Sequence, residues 1–136
     1  MSKERIYEKL RDYKRACERL EDASKVDIVN DVIYDGVIQR FEFTFELSWK
    51  LMKAFLEFTG ITEIRSPRDA IREAFAFGLI QDGDQWIDML TDRNKTSHIY
   101  DEKESRIIYE KIVAIHKELL IDFGNEAEEK IKQYRK

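Results

Sequence analysis

Apolar residues recur three and four positions apart along almost the whole chain, and that period constrains the fold to packed helices. Ile6, Leu10, Tyr13, Cys17 and Leu20 define one face of a helix over residues 3 to about 23, with charged residues opposite. After Ser24-Lys25-Val26-Asp27 a second helix is expected to start between Ile28 and Asp31 and to run to about Phe58, where Thr59-Gly60 ends it. Gly36 weakens this helix without breaking it. Phe41, Phe45, Trp49, Met52 and Phe55 or Leu56 form its main stripe, while Phe43, Leu47, Leu51 and Ala54 fall elsewhere around the axis. A helix with apolar groups on most sides is enclosed on most sides. A chain of 136 residues can hardly supply that cover alone, which predicts a homodimer.

Ser66-Pro67-Arg68-Asp69 marks the start of a short third helix, with Ser as cap and Pro at its first position, ending at Gly78. Asp82-Gly83-Asp84 gives a turn and a cap for a fourth helix, whose inward face is Trp86, Ile87, Met89 and Leu90 and whose end delivers Arg93. A last helix from about Glu102 to Tyr134 places Ile108, Ile112, Ile115, Leu119 and Phe123 on one face, with Gly124 as a break or bend. The expectation is therefore an all-α fold, an antiparallel up-and-down bundle of four to five helices that dimerises. Residues 1–136 make one domain, since the length suits a single core. One proline and five glycines among 136 residues agree with long helices rather than a turn-rich β fold.

A net charge of −4 argues against broad electrostatic adhesion to nucleic acid, while leaving room for a locally basic site. Cys17 is the sole cysteine, so one chain can form neither a disulfide nor a Cys-rich zinc site, and it reads as a small buried hydrophobe. The N-terminal stretch is charged from its third residue, and no run approaches the roughly 18 apolar residues of a membrane span. The expectation is a cytoplasmic, soluble protein without a membrane association. No Gly-rich phosphate loop, Cys/His metal cluster or Ser-His-Asp pattern is present, so no cofactor or metal is expected.

Chemistry concentrates in Asp92-Arg93-Asn94-Lys95-Thr96-Ser97-His98-Ile99-Tyr100-Asp101-Glu102. On an unbroken helix Arg93 and His98 would point about 140° apart, whereas Asn94 and His98 would share a face. Thr96, Ser97 and the residues after them weaken helix here, so the fourth helix should fray or bend and let Arg93 reach toward His98. An imidazole can take a 2′-hydroxyl proton or protonate a leaving oxygen, and a guanidinium can neutralise the charge that grows on phosphorus. Together they suit metal-free RNA cleavage. One histidine cannot readily do both jobs, and a two-fold dimer that brings two copies together would solve this. The structural alternatives are that Arg93 pairs with Asp88, Asp92 or Asp101, that His98 caps its helix, and that Tyr100 is a boundary aromatic.

His116 sits on the last helix with no polar cluster around it in sequence and reads as structural. Glu42 and Glu46 have the spacing of a di-metal carboxylate site but lack any Glu-x-x-His companion, so ion pairs are expected instead. Arg65, Arg68 and Arg72 form a small basic group whose default reading is a solvated face.

Arg93-Asn94-Lys95-Thr96-Ser97-His98-Ile99-Tyr100 resembles the Arg, polar residue, spacer, His pattern of the HEPN superfamily, in the Arg-x4-His-x-Tyr form of HepT-like proteins. Residues 39–50, Gln-Arg-Phe-Glu-Phe-Thr-Phe-Glu-Leu-Ser-Trp-Lys, together with the 92–98 block, resemble more narrowly the nucleotidyltransferase substrate-binding protein family. The likeness spans about residues 5 to 125. It implies a dimerising helical bundle that acts beside a separately encoded minimal nucleotidyltransferase in a two-component, toxin–antitoxin-like pair. It further implies a metal-independent endoribonuclease whose catalytic residues are Arg93 and His98, with Asn94 as polar helper, acting on RNA. Tyr100 would be where the partner adds AMP, which would place negative charge beside Arg93 and obstruct the cleft. The alternative the family name carries is a subunit without catalysis that presents a substrate to the nucleotidyltransferase.

Overall fold

The computed structural model describes residues 2–134, and all regular structure among them is helical. Helix α1 (Lys3–Ser24) begins where the Ser2 hydroxyl accepts a hydrogen bond from the Arg5 amide, and it buries the face that its spacing predicts. Helix α2 (Val32–Phe58) starts one residue later than expected, because Asn30 Oδ1 accepts from the Val32 amide at 2.9 Å and holds the preceding residues in a turn. It passes through Gly36 and stops at Thr59-Gly60. There Gly60 takes a φ of 105° and the Ile61 amide bonds back to the Leu56 carbonyl at 3.0 Å.

Helix α3 (Pro67–Phe77) has the expected Ser66 cap, bonded by the Asp69 amide, and ends at Gly78 with φ 94°. Helix α4 (Gly83–Lys95) is capped by Asp82, whose carboxylate accepts from the Gln85 amide at 3.0 Å. A single 3₁₀ turn follows over Thr96–His98. The last rod comprises α5 (Glu102–Lys111), one π turn (Ile112–His116) and α6 (Lys117–Gln133).

Side-chain contacts fix the directions of these elements. Lys3 Nζ donates to the Tyr134 carbonyl, Tyr13 Oη to the Leu120 carbonyl and Lys117 Nζ to Ser24 Oγ, so α1 runs antiparallel to the last rod. Tyr34 meets Tyr109, Phe41 meets His116 and Phe55 meets Tyr134, so α2 runs parallel to it. Trp86 packs edge-on against Phe123 while Asp92 reaches back to Lys111, so α4 is antiparallel again. The result is an up-and-down bundle. Tyr13, Phe41, Phe45, Trp86 and Phe123 fill its middle, where a fully buried Phe stabilises the fold by roughly 2–3 kcal/mol. Among the described residues no helix is long and apolar enough to cross a membrane.

Three expectations need correction. Gly124 does not break α6, which runs on to Gln133; it lies against Tyr13, where an added Cβ would come within 3.3 Å of the ring. The inner face of the last rod carries His116 and Leu120 rather than Ile115 and Leu119. Ile108, Ile112, His116, Leu120 and Gly124 step inward every four residues, which overruns the α-helical period by about 1.6 residues. The wider π turn absorbs most of that excess and keeps the stripe facing the core. Finally, one chain covers α2 better than its composition suggests: Leu51 and Ala54 are buried, Leu47 and Trp49 partly so, and Phe43 alone of that set stays open, at 62%.

Candidate functional site

The tightening at the end of α4 has a local cause. Thr96 Oγ1 donates to the Arg93 carbonyl at 2.7 Å and Ser97 Oγ to the Asn94 carbonyl at 3.4 Å, so hydroxyls take up carbonyls that a continuing helix would use. Extended backbone at Ile99 then leads to α5, whose start is held by two side-chain bonds. Asp101 Oδ1 accepts from the Glu104 amide at 2.8 Å, and Glu104 Oε2 accepts from the Tyr100 amide at 3.0 Å. Asp101 and Glu104 are thus committed to holding the backbone on either side of Tyr100.

The segment from 92 to 100 forms a ridge between two clefts. One, of about 350 Å³, is lined by Asp92, Lys95, His98, Ile99, Glu104, Ile107, Ile108 and Lys111. The other, of about 440 Å³, holds Thr96, Ile99, Tyr100 and Ser105 beside five carboxylates, those of Asp31, Asp35, Glu42, Asp101 and Glu102. The His98 side chain belongs to the first and the Tyr100 ring, 83% exposed, to the second.

Arg93 takes a third direction. Its Nη2 bonds Glu46 Oε2 on α2 at 3.0 Å, and Lys50 Nζ lies 3.6 Å from the other Glu46 oxygen. The fray therefore occurs where the sequence places it, yet within one chain Arg93 ends on Glu46 and does not reach His98. None of Asp88, Asp92 and Asp101 is its partner. Its Nε is buried and has no hydrogen-bond partner. Asn94 is exposed on the same turn. Glu46 makes the ion pairs expected of it. Glu42 makes none among the described residues and instead lines the acidic cleft.

A buried polar cluster supports this region, and it overturns the reading of His116 as a histidine without polar company. His116 Nε2 lies 2.7 Å from Asp92 Oδ2, and Lys111 Nζ lies 2.6 Å from the same oxygen. Phe41 stacks on the imidazole with the rings 5.5 Å apart and 18° from parallel. Burial pushes the His116 pKa below its ordinary value; the hydrogen bond and charge of Asp92 oppose that shift, and Lys111 adds to it. A carboxylate only accepts, so the neutral ring donates from Nε2 and leaves a buried, unpartnered Nδ1. The one trace of this cluster in the sequence is the four-residue inward step that runs through position 116. Among the described residues no three His, Cys, Asp or Glu side chains gather as a metal site would require.

Comparison with known proteins gives these features a family. A crystal structure of a protein from Thermus thermophilus superposes with a TM-score of 0.73 at 28% identity, covering 89% of this chain and 99% of that one. A second, from Haemophilus influenzae, is described as revealing the fold of a substrate binding domain of a nucleotidyltransferase. It superposes with a TM-score of 0.66 at 27% identity over 93% of this chain and 99% of that one. A protein named probable ribonuclease HepT, from Haemophilus influenzae strain Rd, is 40% identical over 89 residues. That stretch is 62% of this chain and 61% of the relative. Residues 8–128 match the family model described as nucleotidyltransferase substrate binding protein like, which takes in all six α-helices of the described residues at least in part and the whole ridge. The chain belongs to the nucleotidyltransferase substrate binding protein like family.

Proposed function

We propose that this chain, as one domain, forms a homodimer that acts beside a separately encoded minimal nucleotidyltransferase in a two-component, toxin–antitoxin-like pair. In this reading it cleaves RNA without a metal at Arg93, Asn94 and His98, and addition of AMP at Tyr100 by the partner silences it. The observation that carries the nuclease reading is the ridge itself. It offers an exposed imidazole beside Lys95 and Lys111, and earlier on the same segment a half-buried guanidinium held by Glu46. The relative named as a probable ribonuclease supports the same reading.

Within one chain Arg93 and His98 face different ways, so the proposed site is composite. Phe43, Glu46, Leu47 and Lys50 form one strip along α2 by their three- and four-residue spacing, and Arg93 lies on Glu46. A two-fold contact centred on Phe43 would set two Arg93 groups close together and give each a second histidine to work with. One imidazole then removes the 2′-hydroxyl proton as its oxygen bonds to phosphorus. The other gives a proton to the 5′-oxygen as that bond to phosphorus breaks, and the guanidinium stabilises the charge on the phosphoryl oxygens.

The second reading is a subunit that presents a substrate to the nucleotidyltransferase and cleaves nothing. The five carboxylates on the Tyr100 side favour it, because they oppose a polyanion lying across the ridge. RNA cleavage by the purified protein in EDTA separates the two. Cleavage that survives chelation and is lost in His98→Ala supports the nuclease. No cleavage by wild type whose intact mass shows a bare Tyr100 leaves the presenting subunit.

A further inference from the structure

Lys111 is held in a way that few partly exposed lysines are. Its side chain is 40% exposed, yet its Nζ lies 2.6 Å from Asp92 Oδ2, on a carboxylate side chain that is only 3% exposed. The same oxygen takes the His116 bond, and Phe41 stacks against that ring, so the carboxylate has no room to swing. A lysine ordinarily loses rotamer entropy when a ligand orders it. Here the fold has already ordered it. Asp92 occupies one of the three ammonium donors, and the others remain for a ligand in the cleft that Lys111 shares with Lys95 and His98.

The rest of that cleft is apolar. Ile99, Ile107 and Ile108 line it, and Ile107 is 49% exposed, so half of this apolar side chain is left to solvent. Its two carboxylates already have partners: Asp92 is bonded by Lys111 and His116, and Glu104 by the Tyr100 amide. Cations beside aliphatic side chains match a phosphate joined to a flat, weakly polar ring. A cavity of about 350 Å³ is at the small end for ligand sites, enough for one such unit.

We propose that this cleft is a mononucleotide subsite, in which Lys111, positioned by the buried Asp92–His116 pair, binds a phosphate while the base lies on Ile99, Ile107 and Ile108. The inference rests on the RNA-directed reading of His98 and gives it a second component: Lys111 anchors the strand and His98 acts on the neighbouring phosphodiester. The ligand chemistry is a nucleoside monophosphate, either free or as one unit of a strand.

The test uses the full chain with uridine 3′-monophosphate, adenosine 5′-monophosphate and a fluorescent five-nucleotide RNA, with inorganic phosphate as control. Affinity is read by anisotropy for the RNA and by NMR shifts of the histidine rings for the nucleotides. Lys111→Gln and, independently, Ile107→Glu are each expected to weaken nucleotide binding about tenfold or more, with Lys111→Arg retaining most of it. Ile107→Glu is exposed and leaves the buried pair intact, so its effect does not depend on the stability of Lys111→Gln. RNA bound more tightly than either nucleotide assigns the site to a strand; equal affinity assigns it to the free ligand. Nucleotide binding lost in both variants, without RNA cleavage by wild type, retains the subsite and removes the nuclease. Cleavage whose KM is unchanged in both variants retains the nuclease and overturns the subsite, as does binding to wild type no stronger than that of inorganic phosphate.

Discussion

His116 and Cys17 were both expected to be structural, and the structure puts each in a setting that makes its protonation measurable. For His116 the folded-state pKa lies below the ordinary 6.5, chiefly through burial, with Asp92 and Asp88 of α4 and Lys111 of α5 around the ring. Stability from this group is complete above that ordinary value. It is lost as pH falls toward the depressed folded value, because the unfolded chain takes up the proton first. Urea denaturation of wild type and His116→Gln at pH 7.5 and 5.5 should show the stability gap narrowing at the lower pH. A gap independent of pH would remove this account. Cys17 is buried on α1, and burial pushes its thiol up to about 11. Alkylation at pH 8 should therefore run about two orders of magnitude slower in the native protein than in denaturant, as thiol counting over time will report. Between these helices the Asp92 carboxylate is buried against His116 and Lys111. Asp92→Ala leaves Lys111 and His116 without their shared partner and should cost about 3 kcal/mol in chemical denaturation.

Along the helices, two glycines with the same sequence signature separate by what surrounds them. Gly36 in α2 has nothing within 4 Å of an added Cβ, so Gly36→Ala should gain up to about 1 kcal/mol of helix propensity. Gly124 in α6 faces Tyr13, whose ring is held by its 2.6 Å bond to the Leu120 carbonyl and by its edge contact with Phe123. That ring cannot yield easily, so Gly124→Ala should lower the melting temperature despite the same propensity gain. Opposite signs for the two substitutions are the expected outcome of parallel thermal melts. The caps of α3 and α4 were legible: Ser66-Pro67, Asp82 and Gly78 do in the structure what those residue types dictate, since caps depend on bonds within three or four residues, whereas the Ser2 and Asp101 caps were not read from the sequence. The π turn was not legible. It settles a mismatch between a four-residue inward step and the α period, and which residues face inward depends on α1, α2 and α4 together.

At the scale of the molecule, the open question is the partner of α2. Phe43 is bare in the single chain, and the groove beside it, lined by Ala16, Arg19, Gly36 and Thr44, is open to about 340 Å³. If a second copy covers this face, Phe43→Asp should convert a dimer to a monomer in light scattering while leaving the circular dichroism of the fold unchanged. A dimer that persists in the variant places the contact elsewhere.

What the sequence determined by itself was whatever short range controls: helix positions, their caps, the fray after Arg93, and the concentration of His98, Arg93 and Tyr100 in one stretch. The tertiary structure decided how those groups are shared out. It sent Arg93 to Glu46, His98 to a cleft with Lys111, and Tyr100 to a cleft of carboxylates. It also joined Asp92 to His116, 24 residues away. Neighbours along a chain are set by backbone geometry, whereas the direction of a long side chain at a frayed helix end is set by which charges and cavities other helices bring within reach.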